Sequence, residues 1–300
     1  MRAVTPHKTG AILADVSETL ADVRCRVQSY RNRQDAATVG LVPTMGYFHK
    51  GHLSLMRAAR RECGLVVVSV FVNPAQFGPG EDLDTYPRDL DRDISLAAKE
   101  MVDIVFAPAV GEMYPDGAGT TVEVGRAAAG LCGARRPGHF RGVASVVAKL
   151  FNIVAPDFAY FGQKDAQQLA VIKQMARDLY FRTGIRLCPT VRESDGLAMS
   201  SRNSYLSAAE RIEAAALYEG LNKAKEAVVS ADVRDAAAIK KIIHDAAGSR
   251  PLVEMEYVEV VDGETMQPLA RVGPGALAAA AARVGRTRLI DNMILIPQEE

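Results

Sequence analysis

The run Leu65-Val66-Val67-Val68-Ser69-Val70-Phe71-Val72 carries apolar side chains at nearly every position rather than at every second one. A strand wetted on one face alternates; one that is apolar on both faces belongs in a parallel sheet covered on both sides by helices. The run is about a strand long and far short of the ~20 apolar residues that cross a bilayer. Four further β-rich runs, at 39–43, 103–107, 157–161 and 186–191, are separated by helical patterns near 52–62, 88–101, 142–154 and 165–180. This repeated strand–helix order predicts an α/β fold with a doubly wound parallel sheet.

After about residue 190 the texture changes. Segments 207–230 and 235–247 are alanine-rich with helical patterning, and the first opens with the capping box Ser207-Ala208-Ala209-Glu210. Strands are expected at 253–261, 277–284 and 288–295, although the alanine run of the middle one suits a helix nearly as well. Helices followed by neighbouring strands suggest a smaller α+β domain over residues 191–300, folded over the site of a larger domain at 1–190. The 300 residues suffice for both.

Thirty-six basic residues balance 36 acidic ones, so no global field favours nucleic acid or an anionic membrane as partner. The four cysteines (Cys25, Cys63, Cys132 and Cys188) are scattered and form no C-x-x-C pair, which argues for reduced thiols rather than a disulfide framework or zinc knuckle. The first ten residues lack the apolar core of a secretory signal. A cytoplasmic protein is the expectation.

Four of the five β-rich runs lead into loops of unusual polar chemistry, at 44–52, 73–77, 162–165 and 192–203. Ligands of open α/β sheets bind outside the carboxyl ends of the strands, so four loaded loops at one sheet edge point to a single site. In Pro43-Thr44-Met45-Gly46-Tyr47-Phe48-His49-Lys50-Gly51-His52, two imidazoles stand three residues apart where a strand passes into a helix. Backbone N–H groups, a helix dipole and two imidazoles at such a junction suit phosphate. A metal pair and a simple helix cap are the competing readings. The motif is not H-E-x-x-H and contains no third ligand.

Gly162-Gln163-Lys164-Asp165 supplies a point cation for phosphate and a carboxylate for ribose hydroxyls, or else an ordinary turn with Asp165 as helix cap. Met199-Ser200-Ser201-Arg202-Asn203 offers two hydroxyls and a guanidinium for a clamp on triphosphate oxygens. Gln76 and Gln168 could hydrogen-bond a hydroxylated carboxylic acid. The acidic stretch Glu81-Asp82-Leu83-Asp84, with Asp89, Asp91 and Asp93, reads either as Mg²⁺ ligands or as a solvated face and helix start. Arg135-Arg136-Pro137-Gly138-His139-Phe140 is a compact basic loop. Nothing orients Cys132 toward His139, so that pair is not read as a nucleophile and base.

These loops, in this order, resemble the pantothenate synthetase (pantoate–β-alanine ligase) family over nearly the whole chain. The resemblance rests on Val42-Pro43-Thr44-Met45-Gly46 with His49-Lys50-Gly51-His52, on Phe71-Val72-Asn73-Pro74-Ala75-Gln76-Phe77, and on Tyr86-Pro87-Arg88. It continues through Arg136-Pro137-Gly138-His139-Phe140, Tyr160-Phe161-Gly162-Gln163-Lys164-Asp165 with Gln167-Gln168, Pro189-Thr190-Val191-Arg192-Glu193, and Asp195 to Asn203. His-x-Gly-His alone marks a broad nucleotidyltransferase superfamily that includes class I aminoacyl-tRNA synthetases; the combination is far more specific. The resemblance implies a Rossmann-like fold and a Mg²⁺-dependent, AMP-forming ligation of (R)-pantoate with β-alanine through an enzyme-bound pantoyl adenylate. It implies a homodimer joined through the larger domain.

Carried over residue by residue, the resemblance places Pro43 through His52 at ATP, with His52 as proton donor and His49 assisting. Gly162, Gln163, Lys164, Asp165, Val191, Met199, Ser200, Ser201 and Arg202 complete the nucleotide site, with Lys164 and Arg202 counted among the catalytic cations. Gln76 and Gln168 match pantoate-binding glutamines, Gln76 also lying near β-alanine; Asn73 and Arg136 are further contributors. The Mg²⁺ ligand is unassigned. Two rivals stand beside this reading: a nucleotidyltransferase that stops at a dinucleotide-type product, and a catalytically silent ATP-binding homologue. A tRNA synthetase is disfavoured by the neutral charge and by too little chain for an anticodon-binding domain.

The family usually carries Glu where this chain has Gln163. The local charge changes by one unit while the shape is kept, so a Gln163→Glu variant is expected to turn over at a similar rate. A rise of more than roughly a hundredfold, about 2.7 kcal/mol of barrier, would contradict this.

Overall fold

The computed structural model describes residues 14–34 and 37–298. The expectation drawn from the first ten residues lies outside them. Among the described residues no helix is long and apolar enough to cross a membrane.

Six parallel strands form the main sheet: β1 (Asp15–Ser17), β2 (Val39–Thr44), β3 (Leu65–Val70), β4 (Ile104–Phe106), β5 (Phe158–Gly162) and β6 (Gly184–Cys188). Their spatial order is β1-β4-β3-β2-β5-β6. The uninterrupted apolar run becomes β3, buried from Leu65 to Ser69. Its side chains divide between two cores, Leu65 and Val67 on one face and Val66 and Val68 on the other. That two-sided burial is why the run shows no polar alternation.

Helices α1 (Leu20–Arg31), α2 (Lys50–Glu62), α3 (Leu90–Lys99), α4 (His139–Val154) and α5 (Ala166–Asp178) cover the sheet. The first core gathers side chains of α1, α4 and α5, and the second those of α2 and α3. Strand β1 and helix α1 were not foreseen. The strand has three residues, and α1 fully buries only Val23 and Val27, one turn apart, on a mostly polar cylinder. Strand β6 begins two residues earlier than expected because it pairs with β5 from Phe158↔Gly184 to Gly162↔Cys188. Pro189, which has no N–H to donate, follows its last residue.

From β2 the chain moves outward through β3 to β4, then returns to place β5 on the other side of β2. The reversal leaves a crevice at the carboxyl ends of β2 and β5. Those two strand ends carry the His49/His52 and Lys164 loops.

The later residues form α6 (Ala208–Ala214), α7 (Ala216–Ser230) and α8 (Ala236–Gly248) against an antiparallel sheet of β7 (Val253–Asp262), β8 (Ala276–Val284) and β9 (Thr287–Ile294). The alanine run is the central strand β8, paired along both edges. Ladder hydrogen bonds on two sides outweigh alanine's helix preference, and its small side chains let α7 and α8 pack closely over a buried centre. Val261, Met266, Leu277 and Ala279 of this region join the first core of the main sheet. The small sheet therefore packs directly onto the large body.

Gly142 on α4 lies against the 3₁₀ turn Pro74–Gln76: a Cβ there would stand 2.2 Å from the Ala75 carbonyl oxygen. Gly142→Ala must displace the turn, at an expected cost of ~1–3 kcal/mol. A urea unfolding midpoint equal to that of the unaltered protein would show that the turn yields freely.

Candidate active site

The first loop is built around a buried carboxylate. After Thr44, Gly46 (φ 84°) and Tyr47 (φ 52°) both adopt left-handed backbone and reverse the chain. Asp93 of α3, 1% exposed, accepts the N–H groups of Tyr47 (2.6 Å) and Phe48 (2.7 Å). Phe48 then anchors in the core with no exposure. Gly46 is required twice over, by its φ and because a Cβ would lie 2.9 Å from Val70 and 3.0 Å from Asp93.

The turn delivers both histidines to the first turn of α2, where they act as caps. His49 Nδ1 accepts the Gly51 N–H (3.1 Å) and His52 Nδ1 accepts the His49 N–H (3.3 Å). The helix-cap reading is thus realised, and it specifies the tautomer. With Nδ1 accepting, the ring proton of each neutral imidazole resides on Nε2. The rings stack with centroids 4.0 Å apart. Burial, with Lys164 adding to it, lowers His49 to about 4. Burial first, then His49 and Lys164, lowers His52 well below the usual imidazole range. Both are neutral hydrogen-bond donors near neutral pH.

The second loop aims Gln76. Asn73, almost fully buried, accepts from Tyr114 Oη (2.8 Å) and donates to Gln76 Oε1 (3.0 Å) and to the Gly142 carbonyl (3.2 Å). Gln76 Nε2 donates to Met45 Sδ at 3.2 Å. His139 Nδ1 donates to the Gln76 carbonyl at 2.8 Å, so its Nε2 accepts from Arg136 Nη1 at 3.0 Å. Burial and the Arg136 charge hold His139 at about 4. His139 therefore belongs to the support of Gln76 and Arg136. Cys132 lies instead against Tyr257 Oη (3.2 Å).

The third loop is held by the small sheet. Asn292 of β9 donates to the carbonyls of Gln163 (2.9 Å) and Lys164 (2.8 Å) and accepts from Gln163 Nε2 (2.9 Å). Asp291 beside it pairs with Arg192 through bonds of 2.6 and 3.0 Å. A glutamate at 163 would face the Asn292 side-chain oxygen, so the departure from the family pattern is matched to its neighbour here. Asp165 makes no side-chain cap; it lies 3.3 Å from Lys164 Nζ.

The acidic stretch is neither a plain solvated face nor a metal cluster. Among the described residues no group of three His, Cys, Asp or Glu side chains has metal-binding geometry. Glu81 grips Arg136 through bonds of 2.7 and 2.6 Å, and Asp82 grips Arg202 through bonds of 2.9 and 2.7 Å. The Arg136 guanidinium holds the Glu81 carboxyl down at about 2. Asp89 caps α3, and Asp93 clamps the first loop.

These pieces enclose one cavity of about 230 Å³. Pro43, Thr44, Met45, His49, Gly51 and His52 line it from the first loop, and Asn73 and Gln76 from the second. Gly162, Lys164, Asp165 and Gln168 come from the third region, Val191, Met199, Ser200, Ser201 and Arg202 from the fourth, and Arg136 from the turn before α4. Gly46, Tyr47, Phe48, Lys50 and Gln163 do not line it. The first three shape the turn and Gln163 faces β9.

Several lining residues escaped the sequence reading. Tyr86 bonds Ser201 Oγ at 3.0 Å, and Thr190 Oγ1 is buried without a partner among the described residues. Val143 and its neighbours on α4 form an apolar wall. Tyr86 and Thr190 stood inside recognisable motifs, but nothing local marks an α4 valine as a cavity wall rather than core.

A sequence profile described as pantoate-beta-alanine ligase matches residues 15–294. The chain belongs to the pantoate–β-alanine ligase family. It is 54% identical over 267 residues to the pantothenate synthetase of Heliobacterium modesticaldum, covering 89% of this chain and 95% of that one. Against the pantothenate synthetase of Pelotomaculum thermopropionicum the identity is 51% over 280 residues, covering 93% and 98%. The crystal structure of the Thermus thermophilus pantothenate synthetase superposes with a TM-score of 0.88 at 47% identity, over 94% of this chain and all of that one. The Francisella tularensis pantoate-beta-alanine ligase, complexed with beta-gamma ATP and beta-alanine, gives 0.78 at 33% identity over 94% and 98%.

The neutral histidines have a consequence for the stability of this ligase. His49 and His139 are lowered in the folded chain to about 4. Unfolded imidazoles take up protons below about 6.5, so the unfolded state binds more protons and stability falls as pH drops from about 6.5 toward 4. Depressed carboxyls such as Glu81 act at lower pH. Urea midpoints are expected to fall between about pH 7 and pH 5, and His139→Gln to flatten part of that slope. A flat profile in the unaltered protein would refute the neutral assignments.

Proposed function

We propose that this chain joins the carboxylate of pantoate to the amine of β-alanine at the expense of ATP, through a pantoyl adenylate. The observation that carries the reading is one cleft holding two kinds of wall. One wall offers Nε2 donors of His49 and His52, Lys164, the Ser200 and Ser201 hydroxyls and Arg202; the other offers Gln76, Gln168 and the apolar α4 face. The first suits a triphosphate, and the second a branched hydroxy acid. Thr190 Oγ1, buried without a partner among the described residues, is open to one more bond from the nucleotide.

In the first step a pantoate carboxylate oxygen bonds to the α-phosphorus as the bond to the β-phosphate bridge breaks, releasing diphosphate. Charge grows on phosphate oxygens facing preorganised donors, the arrangement that lowers such barriers most. His52 and His49 supply hydrogen bonds without net charge; Lys164 and Arg202 supply the charge. In the second step the β-alanine amine attacks the acyl carbon, AMP departs and the nitrogen loses a proton. Neither step needs a protein nucleophile; positioning suffices.

Mg²⁺ fits this wall as an ion carried largely by phosphate oxygens, because Asp165 is the cavity's carboxylate and no three-residue cluster exists among the described residues. When bound it would neutralise polyphosphate charge. A cytoplasmic homodimer joined through residues 1–190, with 191–300 covering the site, completes the reading. Exposed Leu179, Tyr180 and Leu187 beside the edge strand β6 support a partner on that side.

Exchange of labelled pyrophosphate into ATP is the test. Exchange is expected only with pantoate present, and His52→Ala is expected to lose about a hundredfold or more while staying folded by circular dichroism. Pantoate-independent exchange, or indifference to the substitution, would dismiss the mechanism.

A further inference from the structure

A second cavity of about 240 Å³ adjoins the first and shares Arg136, Lys164, Ser200 and Arg202 with it as a common wall. Its far side is the β8–β9 hairpin, which contributes Arg283, Arg286 and Arg288. Six cationic side chains thus face three carboxylates, Glu81, Asp82 and Asp291. Asp291 is already engaged by Arg192 from outside the cavity. Glu256 and Asp165 pair with these cations from outside the lining, and positive charge still exceeds negative.

The hairpin breaks a local rule to hold that charge. Arg283 and Arg288 stand directly opposite each other across β8 and β9, a like-charge pairing that destabilises a sheet. They share one carboxylate, Glu256, at 3.2 and 2.8 Å. Arg286 has no ion-pair or hydrogen-bond partner among the described residues. It sits in a two-residue turn closed by Val284↔Thr287, whose Gly285 (φ 56°) donates to the Leu252 carbonyl and lies against the Glu210 side chain. That backbone bond anchors the tip from which the exposed Arg283 and Arg286 extend. Breaking a pairing rule with only one shared counter-ion is characteristic of a functional position.

Resting on the adenylate reading, we infer that this chamber receives the inorganic diphosphate expelled in the first step. The position fits: three of the four residues of the common wall, Lys164, Ser200 and Arg202, are assigned to the triphosphate tail, so the leaving group enters the chamber from that wall. The chemistry fits as well, since diphosphate is the most compact and most highly charged of the products. Arg136 and Arg202 are held on this wall by Glu81 and Asp82, which keeps them from collapsing onto the anion as a permanent trap.

The test compares Arg286→Glu with Arg286→Lys, using inorganic pyrophosphate as the probe in product inhibition and in direct calorimetric titration. Reversing one charge is expected to weaken pyrophosphate by at least about fivefold, roughly the effect of ~1 kcal/mol. The lysine variant should recover most of it, and the ATP KM should move far less. Unchanged pyrophosphate affinity in Arg286→Glu overturns the inference. So does an ATP KM that rises in step, since the chamber would then hold the distal phosphates of bound ATP. A lack of pantoate-dependent exchange in the unaltered protein would strike the adenylate reading, while direct titration with pyrophosphate would still report on the chamber.

Discussion

The Asp93 carboxylate, buried on α3 and bonded to the N–H groups of Tyr47 and Phe48, is the contact on which the site depends. Two consecutive left-handed residues do not hold themselves in place, and the clamp keeps them there. Through that turn α2 starts where His49 and His52 cap it. Capping in turn commits each Nδ1 and leaves Nε2–H for a ligand. Removing the carboxylate would leave two buried donors unsatisfied, a cost of ~1–3 kcal/mol each. Burial raises the pKa of Asp93 even against those two donors. The site is purchased with a group that would be more comfortable in water.

Charge in the cleft is divided in a consistent way. The imidazoles are stripped of charge by burial, so they donate without repelling the neighbouring Lys164. The guanidiniums of Arg136 and Arg202 keep theirs but are tethered to Glu81 and Asp82. Tethering limits the side-chain entropy lost when an anion arrives, because both forks are already ordered. The cleft can thus hold many donors without the mutual repulsion that a bare cluster of cations would create.

The small antiparallel sheet is a structural member of the site as well as its cover. Asn292 fastens the backbone on either side of Lys164, and the Asp291–Arg192 pair ties β9 to the loop that leads to Met199. Movement of this sheet relative to the large one would carry Lys164 with it. Gln163 makes sense in that frame: its amide answers the Asn292 amide, so the exchange of a carboxylate for an amide is absorbed locally.

Patterns of short range were readable along the chain. The two-sided burial of β3 followed from Leu65–Val72, and the strand–helix alternation foretold the parallel sheet. The four polar loops were identified because chemistry concentrated at strand ends is conspicuous in one dimension. Residues whose role depends on a distant partner were not readable. Glu81 and Asp82 looked like solvent-facing acids until Arg136 and Arg202 arrived from far along the chain. Asp93 resembled a first-turn helix acid, β1 was too short to register, and Val143 looked like core. Residue order by itself determined most of the elements and which loops carry reactive groups, because periodicity and local hydrogen bonding act over a few residues. That the alanine run is a strand was decided by pairing on both its edges. Tertiary structure alone decided protonation, charge pairing and the shape of the two adjoining cavities, because burial and Coulomb forces depend on distances in space.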